Sequence, residues 1–150
     1  MVHNIKDGNV WVLDPIDGTV NFIVQQDNFC VMIAYYEKGQ GKFGLIYNVM
    51  ADQLFYGGGQ FDVYCNDKLL SPYKRRPLDR CLVGSNAAMY AKNYHGIKGF
   101  IDKTLGVRVY GGAGLSMSKV LSGQILAYFS VIYPWDYLSL IHISEPTRRT

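Results

Sequence analysis

The sequence predicts an α/β fold in which a largely antiparallel sheet fills the first half of the chain and flanking helices enter in the second. Three observations carry this expectation. A length of 150 residues with 49% hydrophobic content matches one ordinary domain with enough apolar side chains for a core. Between Val10 and Cys65, short β-branched and aromatic runs are separated by glycine-bearing turn segments. From Cys81 onward the pattern changes to an alternation of strand and helix.

The first run, Val10 to Leu13, reads as a buried strand. Asp14 and Pro15 are expected to end it, because a residue before proline is biased away from helix and proline brings no N–H to a ladder. Gly18 then allows a tight turn, and Thr19 or Asn21 is expected to cap a following helix. Asn28 to Tyr36 (NFCVMIAYY) and Phe43 to Val49 (FGLIYNV) read as strands joined by a hairpin loop, Glu37 to Gly41. Gln53 to Tyr56 and Asp62 to Cys65 add two short strands separated by Gly57-Gly58-Gly59. Those glycines lack the Lys-Ser/Thr of a phosphate-binding P-loop and no helix pattern follows, so they read as a turn. Ser71 to Arg80 (SPYKRRPLDR) is a polar connection; its Lys74, Arg75 and Arg76 read as solvated, with contact to an anionic substrate as the alternative.

In the second half, LVGS (residues 82–85) is a short strand, Ala87 to Leu105 a helix despite Gly96 and Gly99, and Val107 to Tyr110 a strand. Gly111 to Gly114 is a loop feeding a helix through Leu115 to Leu121, whose Met117, Val120 and Leu121 fall at helical spacing and read as core positions. Ile125 to Ile132 is expected to be the last strand, delivering Pro134-Trp135-Asp136.

Charge and cysteine usage narrow the function classes. A net charge of +3 is too small to argue for a nucleic-acid partner, and no apolar run approaches the roughly 18 residues of a membrane span. The N-terminus, MVHNIKDGN, is too polar for a signal peptide, so a cytoplasmic location is expected. Three cysteines (Cys30, Cys65, Cys81) in an undistinguished spacing fit reduced, mostly buried thiols. None forms a CxxC or Cys/His arrangement, which argues against zinc, and His3 and His95 read as surface residues.

The segment Trp11 to Phe22, WVLDPIDGTVNF, concentrates the chemistry. Asp14 and Asp17 stand at a strand end facing a helix start. Two such acids repel each other unless a cation sits between them, and helix N–H groups attract an anion. A hard divalent metal and a phosphate are the partners this suggests; an ordinary solvated Asp-Pro/Asp-Gly turn is the alternative.

WVLDPIDGTVNF resembles the Asp-Pro-(Ile/Leu)-Asp-Gly-Thr signature of the inositol monophosphatase family, Mg²⁺-dependent, lithium-sensitive phosphomonoesterases related to fructose-1,6-bisphosphatase. Pro134-Trp135-Asp136 resembles the family's second motif, and Gly111 to Gly114 falls where the family has a small-residue loop. The resemblance covers about residues 8–137. It implies a layered α/β sandwich, two or three Mg²⁺ ions, and a small phosphorylated substrate; intact relatives are commonly homodimers. Carried over by position, Asp14 bridges two metals, the Ile16 carbonyl holds the first, and Asp17 and Asp136 hold the second. Gly18 and Thr19 donate N–H groups to phosphate, the Thr19 hydroxyl positions the attacking water, and Gly112, Ala113 and Asp136 meet the substrate. Residues near Ser130 differ from the animal enzymes' substrate-binding glutamate. A 3′-phosphoadenosine 5′-phosphate or sugar-bisphosphate phosphatase is the enzymatic alternative.

Both ends depart from the family pattern. The upstream Gly-Glu-Glu segment and the aspartate that pairs with the threonine are not found before Asp14. LSLIHISEPTRRT, residues 138–150, reads like translated sequencing-library adaptor, which leaves residues 1–137 as a partial family domain, incomplete at both ends. An inactive truncated fragment is therefore the non-enzymatic alternative.

Overall fold

The computed structural model of the chain describes residues 6, 8–71 and 74–131. Its first half is an antiparallel meander of six strands in chain order: β1 (Asn9–Asp17), β2 (Cys30–Glu37), β3 (Gln40–Asn48), β4 (Gln53–Gly58), β5 (Phe61–Cys65) and β6 (Lys68–Leu69). One short helix, α1 (Thr19–Val24), interrupts it between β1 and β2. The second half holds β7 (Leu82–Ser85), α2 (Ala87–Ala91), α3 (Ile97–Ile101), β8 (Gly106–Arg108), α4 (Ala113–Leu121) and β9 (Tyr128–Phe129). Here β8, β7 and β9 form a parallel sheet with β7 in the middle. The expected α/β class and antiparallel first half are both present.

The core follows from strand alternation. Along β2, Cys30, Met32, Ala34 and Tyr36 point inward, and Ile46 on β3 and Phe55 on β4 share their face. α4 lies across β2 and β3 on that face and adds Ala113 and Leu115 to the cluster. Its fully buried serines, Ser116 and Ser118, satisfy their hydroxyls on the backbone carbonyls of Gly112 and Leu115, both at 2.7 Å, which lets a polar face press against the sheet. Met117 and Leu121 pack partly buried around this cluster, and Val120 is half-buried. A second cluster of Val83, Met89, Ile97 and Ile101 joins β7 to α2 and α3.

Several expectations are corrected. β1 is not a buried strand: Trp11 and Leu13 are 60% and 55% exposed, and only alternate residues turn inward. Nor does it end at Asp14-Pro15. Pairing with β2 resumes at Asp17 after a register shift, because β1 lies at the sheet's edge, where a proline's missing N–H deprives no neighbour. The expected helix over residues 87–105 is broken, since Asn93, His95 and Gly96 all take positive φ (51°, 53° and 72°) and separate α2 from α3. The last strand shrinks to Tyr128–Phe129, the stretch that meets β7. The β2–β3 loop tightens to Lys38-Gly39, both at positive φ, the geometry of a two-residue hairpin turn.

Other expectations are met. Gly57 to Gly59 lie at the β4–β5 hairpin, Lys74 to Arg76 and His95 are exposed, and all three cysteines are free, with Cys30 and Cys81 buried. No helix among the described residues is long and apolar enough to cross a membrane. The sheet face opposite α4 carries Trp11, Tyr35 and Phe43 in mutual ring contact and a groove of about 390 Å³ lined mostly by Phe43, Leu45, Leu54, Tyr56, Phe61 and Tyr64. His3, Asp136 and the expected adaptor-like tail at 138–150 fall outside the described residues.

Candidate active site

The Asp-Pro-Ile-Asp-Gly-Thr segment folds into a corner where β1 gives way to α1. Gly18 makes the turn at φ 82° and serves as the N-cap without a side-chain cap bond. The expected cap by Thr19 or Asn21 is therefore corrected, because Gly18 takes the left-handed turn and places both residues inside the helix. Thr19 is the first helical residue, and its hydroxyl donates backward to the Ile16 carbonyl at 3.0 Å. Asp14 Oδ1 accepts the Ile16 N–H at 3.2 Å, an Asx-type bond that holds the carboxylate over the corner. Asp14, Ile16 and Thr19 are thus linked by two short contacts.

Asp17 is the hinge between this corner and the second half of the chain. Its carboxylate is buried, 8% exposed, and accepts the Ala113 N–H at 3.2 Å on Oδ1 and the Gly114 N–H at 2.8 Å on Oδ2. These are first-turn donors of α4, which its own N-cap, Gly112, leaves without a side-chain partner. Asp17 therefore caps a helix from another part of the chain. The Cys30 thiol adds a third donor, 3.4 Å from Oδ2. Burial first, then the neighbouring Asp17 and Asp14 charges, push this thiol well above its ordinary range, so Cys30 stays protonated and acts as a donor.

Small residues make the approach possible. A Cβ on Gly112 would stand 2.7 Å from Asp17 Oδ2, and one on Gly114 would collide with Cys30 Sγ and Met32 Sδ. Gly112 and Ala113, expected at a substrate loop, are thus brought against Asp17 itself.

The structure unites Asp14, Ile16, Asp17, Gly18, Thr19, Gly112 and Ala113 around one corner; Asp136 falls outside the described residues. Sequence reasoning assigned no site role to Asn21, Cys30, Gly111 or Gly114. Asn21 lies within the motif, 7% exposed, and the glycines lie in the Gly111 to Gly114 run, but their partners are remote in sequence.

The donor chemistry of the corner suits a hard cation. Two carboxylates and the Ile16 carbonyl offer oxygen, and the one cysteine at hand is a protonated donor. Among the described residues no three His, Cys, Asp or Glu side chains gather as a metal-binding group.

Comparison with known proteins places this chain in a lineage. The sequence model of the inositol monophosphatase family matches residues 2–145. Inositol-1-monophosphatase of Bacillus subtilis (strain 168) is 36% identical over 141 residues, covering 91% of this chain and 53% of the relative. Among solved structures, inositol monophosphatase-II from Staphylococcus aureus MSSA476 superposes with a TM-score of 0.86 at 34% identity, covering 93% of this chain and 56% of that one. The inositol monophosphate-bound form of SaIMPase-II gives 0.85 at 34% identity, covering 92% and 55%. The chain spans about half the length of these relatives. A family match that runs through nearly the whole sequence, over a fold that agrees with it, shows that this chain belongs to the inositol monophosphatase family.

Proposed function

We propose that this chain carries the Asp14–Thr19 half of a Mg²⁺-dependent phosphomonoesterase site that hydrolyses inositol monophosphate, or a related sugar or polyol phosphate, to the alcohol and inorganic phosphate. The observation that carries the reading is the Asp17 carboxylate, buried and fixed by the first turn of α4 beside Asp14 and the Ile16 carbonyl. The inositol monophosphate bound to SaIMPase-II supports the substrate class.

Asp14, the Ile16 carbonyl, Asp17 and Asp136 would hold Mg²⁺, which when bound acidifies a water and neutralises phosphoryl oxygens. Asp17 keeps its place because two backbone donors hold it from behind, leaving further lone pairs for a ligand. The Thr19 hydroxyl donates to Ile16 O, so its oxygen lone pairs could accept a hydrogen bond from a water at the corner and orient it. Gly18 and Thr19 would offer backbone N–H groups to the phosphate, and Gly112 and Ala113 would border its alcohol portion.

The test is hydrolysis of a phosphomonoester panel with Mg²⁺, with and without Li⁺, by this chain and by any longer product of its reading frame. Hydrolysis that needs Mg²⁺ and falls by about a hundredfold or more in Asp17→Asn and Asp136→Asn supports the reading. Undiminished activity in either variant refutes the assigned roles.

A further inference from the structure

Asn21 stands out as a buried polar side chain in an otherwise exposed helix. Val20, Ile23 and Val24 are 72%, 68% and 74% exposed, whereas Asn21 is 7% exposed and is the buried residue of α1. Its Nδ2 donates to two carbonyls, Asn28 O at 2.9 Å and Tyr110 O at 2.8 Å. Since a carbonyl only accepts, the amino group must face both, and its two protons are fully used. The bond to Tyr110 joins α1 to the loop that leads into α4. Gly111 closes on the same amide: a Cβ there would lie 2.7 Å from Nδ2 and 2.8 Å from Oδ1, and its φ of +81° already favours glycine.

Two side chains therefore tie the loop to the corner. Asp17 holds Ala113 and Gly114, and Asn21 holds Tyr110. Asp17 alone would leave the loop free to pivot about the start of α4; Asn21 fixes its other end. α1 is also held by the edge-to-face contact of Phe22 with Phe29, at 4.9 Å.

We propose that Asn21 is a positioning residue that sets the separation between the start of α1, where the phosphate is read to bind, and the Gly111–Ala113 loop, where the alcohol portion is read to lie. This rests on the phosphatase reading above. Loss of the latch lets the two halves of the substrate site drift apart while Asp14, Asp17 and Thr19 keep their local bonds. The cost then falls on substrate binding more than on turnover.

The test uses Asn21→Ser, whose short side chain reaches neither carbonyl, and Gly111→Ala, whose methyl presses on the amide from the loop side. In Asn21→Ser, hydrogen exchange at Gly112 to Leu115 is expected to speed up about tenfold, with β2 and β3 changing less than about twofold. In whichever product of the reading frame hydrolyses inositol monophosphate, each variant should raise KM about tenfold and change kcat less than about threefold. If both act through one contact, the double variant should raise KM by less than the product of the single effects.

Unchanged exchange, or a kcat loss at constant KM, overturns the proposal. Should Asn21→Ser fail to fold, the isosteric Asn21→Asp and Gly111→Ala carry the same readouts. If exchange responds but the wild type hydrolyses no phosphomonoester, the phosphatase reading falls and takes the substrate-positioning role with it. Intact hydrolysis with unaltered exchange and KM removes the latch and leaves that reading standing.

Discussion

The entries of α2 and α4 solve one problem in two ways. Both helices begin with backbone N–H groups that have no partner within the helix. At α2 the solution is local: Asn86, the N-cap, accepts from Ala88 N at 2.9 Å and Met89 N at 3.3 Å. At α4 the N-cap is Gly112, and the acceptor is the Asp17 carboxylate on β1. A local cap stabilises one helix, whereas a remote one also joins two halves of the fold and stations a negative charge at their junction. Only the second arrangement leaves a carboxylate beside a further acid and a carbonyl, the corner proposed above as half of a phosphatase site.

Removing the charge from the remote cap should have the largest effect. Asp17→Asn keeps the shape, yet phosphomonoesterase activity, wherever it is found in this reading frame, should fall about a hundredfold or more in initial-rate assays. Crowding the remote cap comes next. Gly112 has an extended backbone that any residue adopts, so Gly112→Ala isolates the clash with Asp17 Oδ2 and should cost about 1–3 kcal/mol in urea unfolding.

The Cys30 donor sharpens the comparison through pH. Burial keeps its thiol protonated in the fold, while the unfolded chain loses that proton near the ordinary value of 9.0. Stability from this group is fully present below that pH and declines above it, because the unfolded state then binds fewer protons than the native one. The slope should approach about 1.4 kcal/mol per pH unit, and Cys30→Ala should remove it, as read from denaturant midpoints between pH 8 and 10. The smallest effect belongs to the local cap. Asn86→Ala should cost about 1 kcal/mol with activity unaltered; an activity loss there would break the contrast between the two helix entries.

Much of the first sheet is legible in the sequence, because β2 to β5 announce themselves by β-branched and aromatic runs between turn residues. The corner is legible for another reason: Asp14, Ile16, Asp17, Gly18 and Thr19 are neighbours in the chain, so a short motif contains their geometry. What escapes is non-local. Whether Pro15 ends a strand depends on the strand's place at the sheet edge, which no window of β1 reveals. The break between α2 and α3 is local instead: Asn93, His95 and Gly96 take positive φ inside a stretch that reads as one helix despite Gly96 and Gly99. Asn21, Cys30 and Gly114 gain their roles from partners outside their own segments, so local reading left them a cap candidate, a buried thiol and a loop glycine.

The contact of Gly114 with Cys30 and Met32 has a consequence for how this family member can vary. The two sides share one fixed volume between helix and sheet, so positions 30 and 114 cannot enlarge independently. A methyl gained on the helix meets both sulfurs, so Gly114→Ala with Cys30→Ala relieves the closer clash and still requires the Met32 side chain, 2.7 Å away, to shift. Size at position 114 is therefore bound to the sizes at positions 30 and 32 together.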